Sequence, residues 1–192
     1  EVAMINSGIY NWAPGHDDEG DKNFHFVIHM NDARMSIVGN VAIQGPDSVG
    51  EILVAGHKSG SGSAYMRDNI IIDEAGNPLQ EYNKSNITPL NSPPIWPDGV
   101  EVIPSHESIY EILRTVGPRP GDRDPVNARI IRTVADGNGS IIDSQTEVGG
   151  YPDFAETRHS LTVPEGAAAQ QAWLDELEDE MAVDRDIDLS RL

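Results

Sequence analysis

The feature that most constrains this chain is a pattern that occurs three times, at Val2 to Tyr10, Met35 to Ile43 and Ala64 to Ile72. In each copy two outer apolar positions alternate (Val2 and Met4; Met35 and Ile37; Ala64 and Met66), a short polar turn follows, and an apolar stretch resumes. The turns are Asn6-Ser7, Gly39-Asn40 and Asp68-Asn69, and the copies start 33 and 29 residues apart. One such unit cannot bury its own apolar face, so recurrence at this interval predicts stacked coils in which each covers the next. Asn40 and Asn69 fall in the same slot, where a side-chain amide can hydrogen-bond along a column of coils; Ser7 fills that slot in the first copy and leaves the ladder incomplete. On pattern alone the alternative is three unrelated short strands of another β-fold.

Length in excess of a bare coil is expected in loops that project from one face, Ala13 to Asn23 and Gln44 to Ser63, both Gly-rich and polar. Phe24 to His29 alternates as a strand does. On a strand His25 and His29 lie roughly 13 Å apart, which makes them ordinary strand residues rather than a zinc pair, despite the nearby Asp32. Glu74 to Pro104 is dominated by Asn, Pro, Ser and Gly and reads as an extended wrapping segment, with Trp96 and Val100 to Ile103 as apolar anchors across the coils.

Helical spacing begins after Ser105, read as an N-cap, with Ile109, Ile112, Leu113 and Val116 on one face and a stop at Gly117-Pro118. A second helix is predicted from Asp124, with Pro125 in its first turn, to about Gly137. A turn at Gly149-Gly150-Tyr151-Pro152 precedes a third, acidic helix over about Glu165 to Val183, whose charge runs on into a tail expected to fray. This divides the chain into terminal coils and a wrapping loop (1–104), a helical and extended covering segment (105–163), and an acidic helix with its tail (164–192).

With 32 acidic against 13 basic residues the net charge is −19, which argues against nucleic-acid and anionic-membrane partners. A polyanionic ligand would need local cations or a bridging metal ion. The absence of Cys excludes disulfides and thiolate chemistry. No apolar run is long enough to span a bilayer, and the opening Glu1 to Ile5 reads as a strand entered in mid-fold, with any signal peptide expected upstream.

Two loops carry candidate chemistry. His16-Asp17-Asp18-Glu19-Gly20-Asp21-Lys22 clusters carboxylates of the kind Ca²⁺ accepts, but its order does not fit an EF-hand, and a solvated acidic loop is the simpler reading. Gly56 to Gly62 is glycine-rich but lacks the glycine–lysine order of a phosphate loop; Lys58 is its best-placed cation for a substrate carboxylate.

The second half of the chain resembles the ending of bacterial pectate lyases. The residues that carry the likeness are Glu107 to Leu113, Val116-Gly117, Arg123-Asp124-Pro125-Val126, Arg129-Ile130-Ile131, Gly139 to Ile142 and Glu147-Val148-Gly149-Gly150-Tyr151-Pro152. Val2 to Trp12, with Ile9-Tyr10-Asn11-Trp12, is similar to a coil of the same enzymes, so the likeness covers about residues 1 to 152. It implies a mainly β fold, a right-handed parallel β-helix of which these are terminal coils, with C-terminal helices packed outside. It also implies secretion to an extracellular or periplasmic location and β-elimination on pectate-like acidic polysaccharide, assisted by Ca²⁺ in the parent enzyme. In that family an Arg abstracts the C5 proton and Asp side chains hold the Ca²⁺. Neither motif occurs in these residues, so no catalytic residue and no metal ligand is carried over, and the isolated chain is expected to be inactive and to rely on upstream coils. The resemblance places the first loop beside the substrate groove, which makes His16 and Lys22, with Lys58, the candidate substrate contacts. The rival expectation is a non-catalytic carbohydrate-binding or structural β-solenoid module.

Overall fold

The computed structural model describes residues 1–12, 26–48, 52–56, 62–82, 87–153 and 162–192. Ten strands come first in the chain: β1 (Val2–Ile5), β2 (Gly8–Tyr10), β3 (Phe26–Met30), β4 (Arg34–Val38), β5 (Val41–Ile43), β6 (Ile52–Gly56), β7 (Gly62–Arg67), β8 (Ile70–Ile72), β9 (Gln80–Tyr82) and β10 (Ile87–Pro89). Helices α1 (Ser105–Thr115), α2 (Pro125–Asp136) and α3 (Ala167–Met181) follow, with 3₁₀ turns at Pro120–Asp122 and Gln145–Val148. The content is mixed rather than mainly β, about 23% strand and 29% helix. The strands are short, whereas α1, α2 and α3 run 11, 12 and 15 residues.

The strands form three sheets, ordered β1-β4-β7-β10, β2-β5-β8 and β3-β6-β9, and every pairing is parallel. Each neighbour is thus three strands further along the chain, which visits the sheets in turn and returns. Register follows the sequence pattern residue for residue: Val2 pairs with Met35 and Met35 with Ala64, while Gly8 pairs with Val41 and Val41 with Ile70.

The turn between the first and second sheets explains this register. Asn6, Gly39 and Asp68 occupy equivalent slots and all have left-handed backbone, at φ 51°, 69° and 53°. Such a conformation suits Gly, Asn and Asp and few others. The next residue in each copy carries the ladder. Asn40 Nδ2 donates to Asn69 Oδ1 at 2.9 Å and to the Met4 carbonyl at 3.0 Å, Asn69 Nδ2 donates to the Ile37 carbonyl at 2.9 Å, and the Ser7 N–H donates to Asn40 Oδ1 at 3.0 Å. Asn40 is wholly buried, so these bonds satisfy polar groups that have no access to water.

The chain divides into two compact units, one of residues 1–112 with 137–141, the other of residues 113–136 with 142–192. The core of the first unit draws on all three sheets: Met35, Ile37 and Ala64 from the first, Ala42 and Ile71 from the second, and Met30, Leu53 and Val54 from the third, with Trp12 beside them. Successive strand residues point to opposite faces. Burial of both Leu53 and Val54, and of every residue from Met35 to Val38, therefore shows that β6 and β4 are covered on both sides. On the outer side of the second sheet Ile109 and Ile112 reach Gly8, whose missing Cβ would sit 3.4 Å from Ile109 Cδ1.

Expectations for individual elements of the first unit also change. The stretch Gln44 to Ser63, read as a loop, contains β6; Ile52 to Ala55 is a short unbroken apolar run, and a strand buried on both faces loses its alternation. Glu74 to Pro104, read as lacking regular structure, contributes β9 to the third sheet and β10 to the first. Ser105 does not cap α1, because the Glu107 and Ser108 N–H groups bond to the Pro104 carbonyl instead.

In the second unit Asp124 caps α2 as expected, accepting from the N–H groups of Val126 at 2.9 Å and Asn127 at 3.0 Å. The segment after α3 is anchored rather than frayed. The Asp184 N–H bonds to the Arg114 carbonyl at 2.8 Å, and its carboxylate pairs with Arg123, whose guanidinium also donates to the Leu113 carbonyl at 2.9 Å. Gly121 is required there, since a Cβ would meet the Glu180 carbonyl oxygen at 2.2 Å.

Asn40→Ala removes the bonds to Ser7, Met4 and Asn69 while leaving the apolar core unchanged. It should cost about 2–3 kcal/mol of unfolding free energy, measured by urea titration. A loss below about 0.5 kcal/mol, the scale of an ordinary surface change, would show that the ladder does not hold the register.

Candidate functional site

His16, Lys22 and Lys58 lie outside the described residues, as does His25. The described residues bracketing the first segment are Trp12 and Phe26, and those bracketing Lys58 are Gly56 and Gly62. Phe26 pairs with Ile52 and Met30 with Gly56, so the start of β3 and the end of β6 stand at opposite ends of the third sheet. His29 is exposed on β3, and among the described residues no group of three or more His, Asp or Glu is placed to hold a metal ion.

The described residues build a different concavity, on the outer face of the first sheet. Met35, Ile37, Ala64 and Met66 point inward, which turns Ser36, Val38, Tyr65 and Arg67 outward. Residues 93–104 cross this face as a strap held by polar bonds at several points. Ser36 Oγ donates to the Ile95 carbonyl at 2.6 Å, Asn6 Nδ2 donates to the Glu101 carbonyl at 2.8 Å, and the Ile103 N–H donates to Asn6 Oδ1 at 3.0 Å. Val102 passes so close to Gly39 that a Cβ there would lie 3.0 Å from Val102 Cγ1 and from the Ile103 carbonyl oxygen. This second demand on Gly39 adds to its positive φ.

Between these fixed points strap and sheet do not meet flush. A cavity of about 500 Å³ remains, lined among the described residues by Val38, Tyr65, Arg67 and Asp68 as its floor and by Pro93, Trp96, Val102 and Pro104 as its cover. Trp96 is held within the strap by its own bond, Nε1 to the Val100 carbonyl at 3.2 Å. The indole is therefore fixed while 37% of the residue stays accessible.

The charges here are unevenly committed. Asp68 Oδ1 accepts from the Ser105 hydroxyl at 2.7 Å and Oδ2 from the Ser105 N–H at 3.1 Å. The hydroxyl bond first, then the backbone bond, hold the Asp68 carboxyl below its ordinary pKa against a small opposing desolvation, with His106 and Arg67 adding weaker attraction. Both Asp68 oxygens are thus engaged, and Arg67 has no ion-pair partner among the described residues. On the second sheet's side, Asp47 accepts from Asn11 Nδ2 at 3.0 Å and the Ile141 N–H at 2.6 Å, which fastens residues 137–141 to the strand-bearing part of the unit. The Asn11 bond, then the Ile141 bond, lower its carboxyl pKa too.

Comparison with protein-family models, with curated proteins and with solved structures gave no match. The likeness to pectate lyases therefore rests on the sequence motifs quoted above. Sequence reasoning expected Trp96 and Val100 to Ile103 to lie across the coils as cover for an open edge; they cross the outer face of the first sheet instead, and Tyr65 and Arg67 were passed over. The available signal was their alternation with Ala64 and Met66, which sets two large polar-tipped side chains on a strand's outer face.

Asp68→Asn tests how the strap's end is held, because Asn tolerates φ 53° and the change removes the charge together with one of the two acceptors that hold Ser105. A carboxyl whose folded pKa is depressed stabilises the fold above its unfolded pKa, about 3.9, and loses that contribution as pH falls through the folded value. The variant should be less stable at pH 7 and show a shallower loss of stability below about pH 4 than the parent chain. Superimposable acid limbs in thermal unfolding would count against this role.

Proposed function

We propose that these residues are coils of a right-handed parallel β-helix of the pectate lyase type, a polysaccharide lyase acting on uronate-containing glycans such as pectate. The observation that carries the reading is the residue-for-residue parallel register of Val2, Met35 and Ala64, tied by the hydrogen bond between buried Asn40 and half-buried Asn69. It lies in the segment where Ile9-Tyr10-Asn11-Trp12 resembles a coil of those enzymes. Crossovers between parallel strands of one sheet are right-handed in nearly all proteins, which supports the hand. The motifs from Glu107 to Pro152 support the family. The turn at their end has a form suited to its glycines: Ser144 and Glu147 make a capping box, and Gly149 and Gly150 have φ 95° and 83°.

The role proposed for this stretch is to extend and hold the surface on which an acidic polysaccharide lies. Ca²⁺ would serve the parent enzyme through carboxylates outside the motifs matched here. No helix among the described residues is long and apolar enough to cross a membrane, and a secreted location is part of the proposal.

A chain with this role should bind polygalacturonate without cleaving it. With polygalacturonate and Ca²⁺ the purified chain should give no rise in absorbance from unsaturated uronate ends, yet should be retarded in affinity electrophoresis through that polymer. A Ca²⁺-dependent rise that persists through purification would show that catalytic groups are present. Absence of retardation would favour a purely structural solenoid module.

A further inference from the structure

We infer that the cavity beneath the strap is a binding site for a ring-bearing carboxylate of the hexuronate class, taken up one or two sugar units at a time. It is built from described residues other than His16, Lys22 and Lys58, the substrate contacts expected from the sequence. The identification of the acid as a sugar rests on the glycan reading above; the site itself rests on geometry.

Two independent attachments, Asn6 to Glu101 and Ile103, and Asp68 to Ser105, fix one end of the strap, and Ser36 fixes the other at Ile95. A strap pinned so closely to both sides could have closed on the sheet. The space it leaves, about 500 Å³, falls within the range of preformed small-molecule sites.

The walls then define the guest. Trp96, Tyr65, Pro93, Val38 and Val102 offer apolar and aromatic surface, which suits the C–H face of a saturated ring. The cationic group on the floor is Arg67, whose planar fork matches a carboxylate in bidentate fashion. Asp68 lines the cavity too, but its carboxylate does not neutralise Arg67 by direct contact, because both of its oxygens accept from Ser105. On a chain of net charge −19, a cation left uncommitted beside fixed aromatic surface is a local exception to the general repulsion of anions. A neutral sugar would leave Arg67 without a partner, and a large polyanion would not fit beneath the strap. A short acidic oligosaccharide, or the end of a longer one, meets both constraints.

The test is a titration of the intact chain with digalacturonate at about 0.15 M salt, with the neutral disaccharide lactose and with benzoate as comparison ligands, followed by two-dimensional ¹H–¹⁵N NMR. Digalacturonate should shift the Trp96 indole Nε1 resonance and the amides of Tyr65 and Arg67, and lactose should not. Arg67→Gln should weaken binding about tenfold or more, the scale of one charged hydrogen-bonding interaction. Trp96→Phe should weaken it less, and both variants should keep the parent's thermal midpoint, which separates lost binding from lost folding. Equal affinity in Arg67→Gln, or shifts confined to other residues, would overturn the cavity site while leaving the glycan reading standing. A cavity that takes benzoate and refuses digalacturonate would overturn the sugar assignment and weaken the glycan reading with it.

Discussion

The first unit depends on one repeated local event, a left-handed turn residue followed by a residue that hydrogen-bonds to the neighbouring copy. Asn6, Gly39 and Asp68 turn the chain from the first sheet to the second, and Asn40 and Asn69 tie each turn to the next. A parallel sheet has no hairpin to set its register, and a slip of one residue would exchange its inner and outer faces. The ladder prevents such a slip, because an amide displaced by one strand residue would be buried without its partner. From this follow the inward set of Met35, Ile37 and Ala64 and, equally, the outward set of Ser36, Tyr65 and Arg67.

The same turns also receive what covers the sheet. Asn6 bonds to the strap through both ends of its amide, Gly39 leaves room for Val102 and Ile103, and Asp68 takes the start of α1 through Ser105. Two adjacent columns thus divide the work: Ser7, Asn40 and Asn69 set register, and Asn6, Gly39 and Asp68 receive the covering segment. This accounts for the choice of residue types in a slot where backbone conformation alone would accept Asn, Gly or Asp equally. Asn offers a donor and an acceptor, Gly offers space, and Asp offers two acceptors.

Much of this was legible in the sequence, and what was missed has physical reasons. The three copies, their offsets, the ladder slot and the start and stop of α2 at Asp124 and Gly137 were read from local chemistry that acts through neighbouring residues. β6 was missed because Leu53 and Val54 are buried on opposite faces, which erases the period of two. β10 was missed because its sequence, Ile87-Thr88-Pro89, gains its pairing from β7, far away in the chain. Ser105 has the chemistry of a cap, yet its hydroxyl is drawn to Asp68 by tertiary contact. Of the substrate contacts expected in the loops, none falls among the described residues, whereas the cavity arises where a strand's outer face meets a segment some thirty residues later.

The strap has a consequence for the order of assembly. Bonds between successive copies join residues 33 and 29 positions apart, whereas Asn6 meets Glu101 and Ile103 at separations of 95 and 97. Closing the longer loop gains nothing until the turns that receive it exist, because its docking points are side chains positioned by already paired strands. The strap is therefore the last part of this unit to lock and the first to release under mild destabilisation. The cavity beneath it forms only at the end of folding, so a guest held there acts as a clasp, slowing the opening of the whole unit by adding to the cost of its first step.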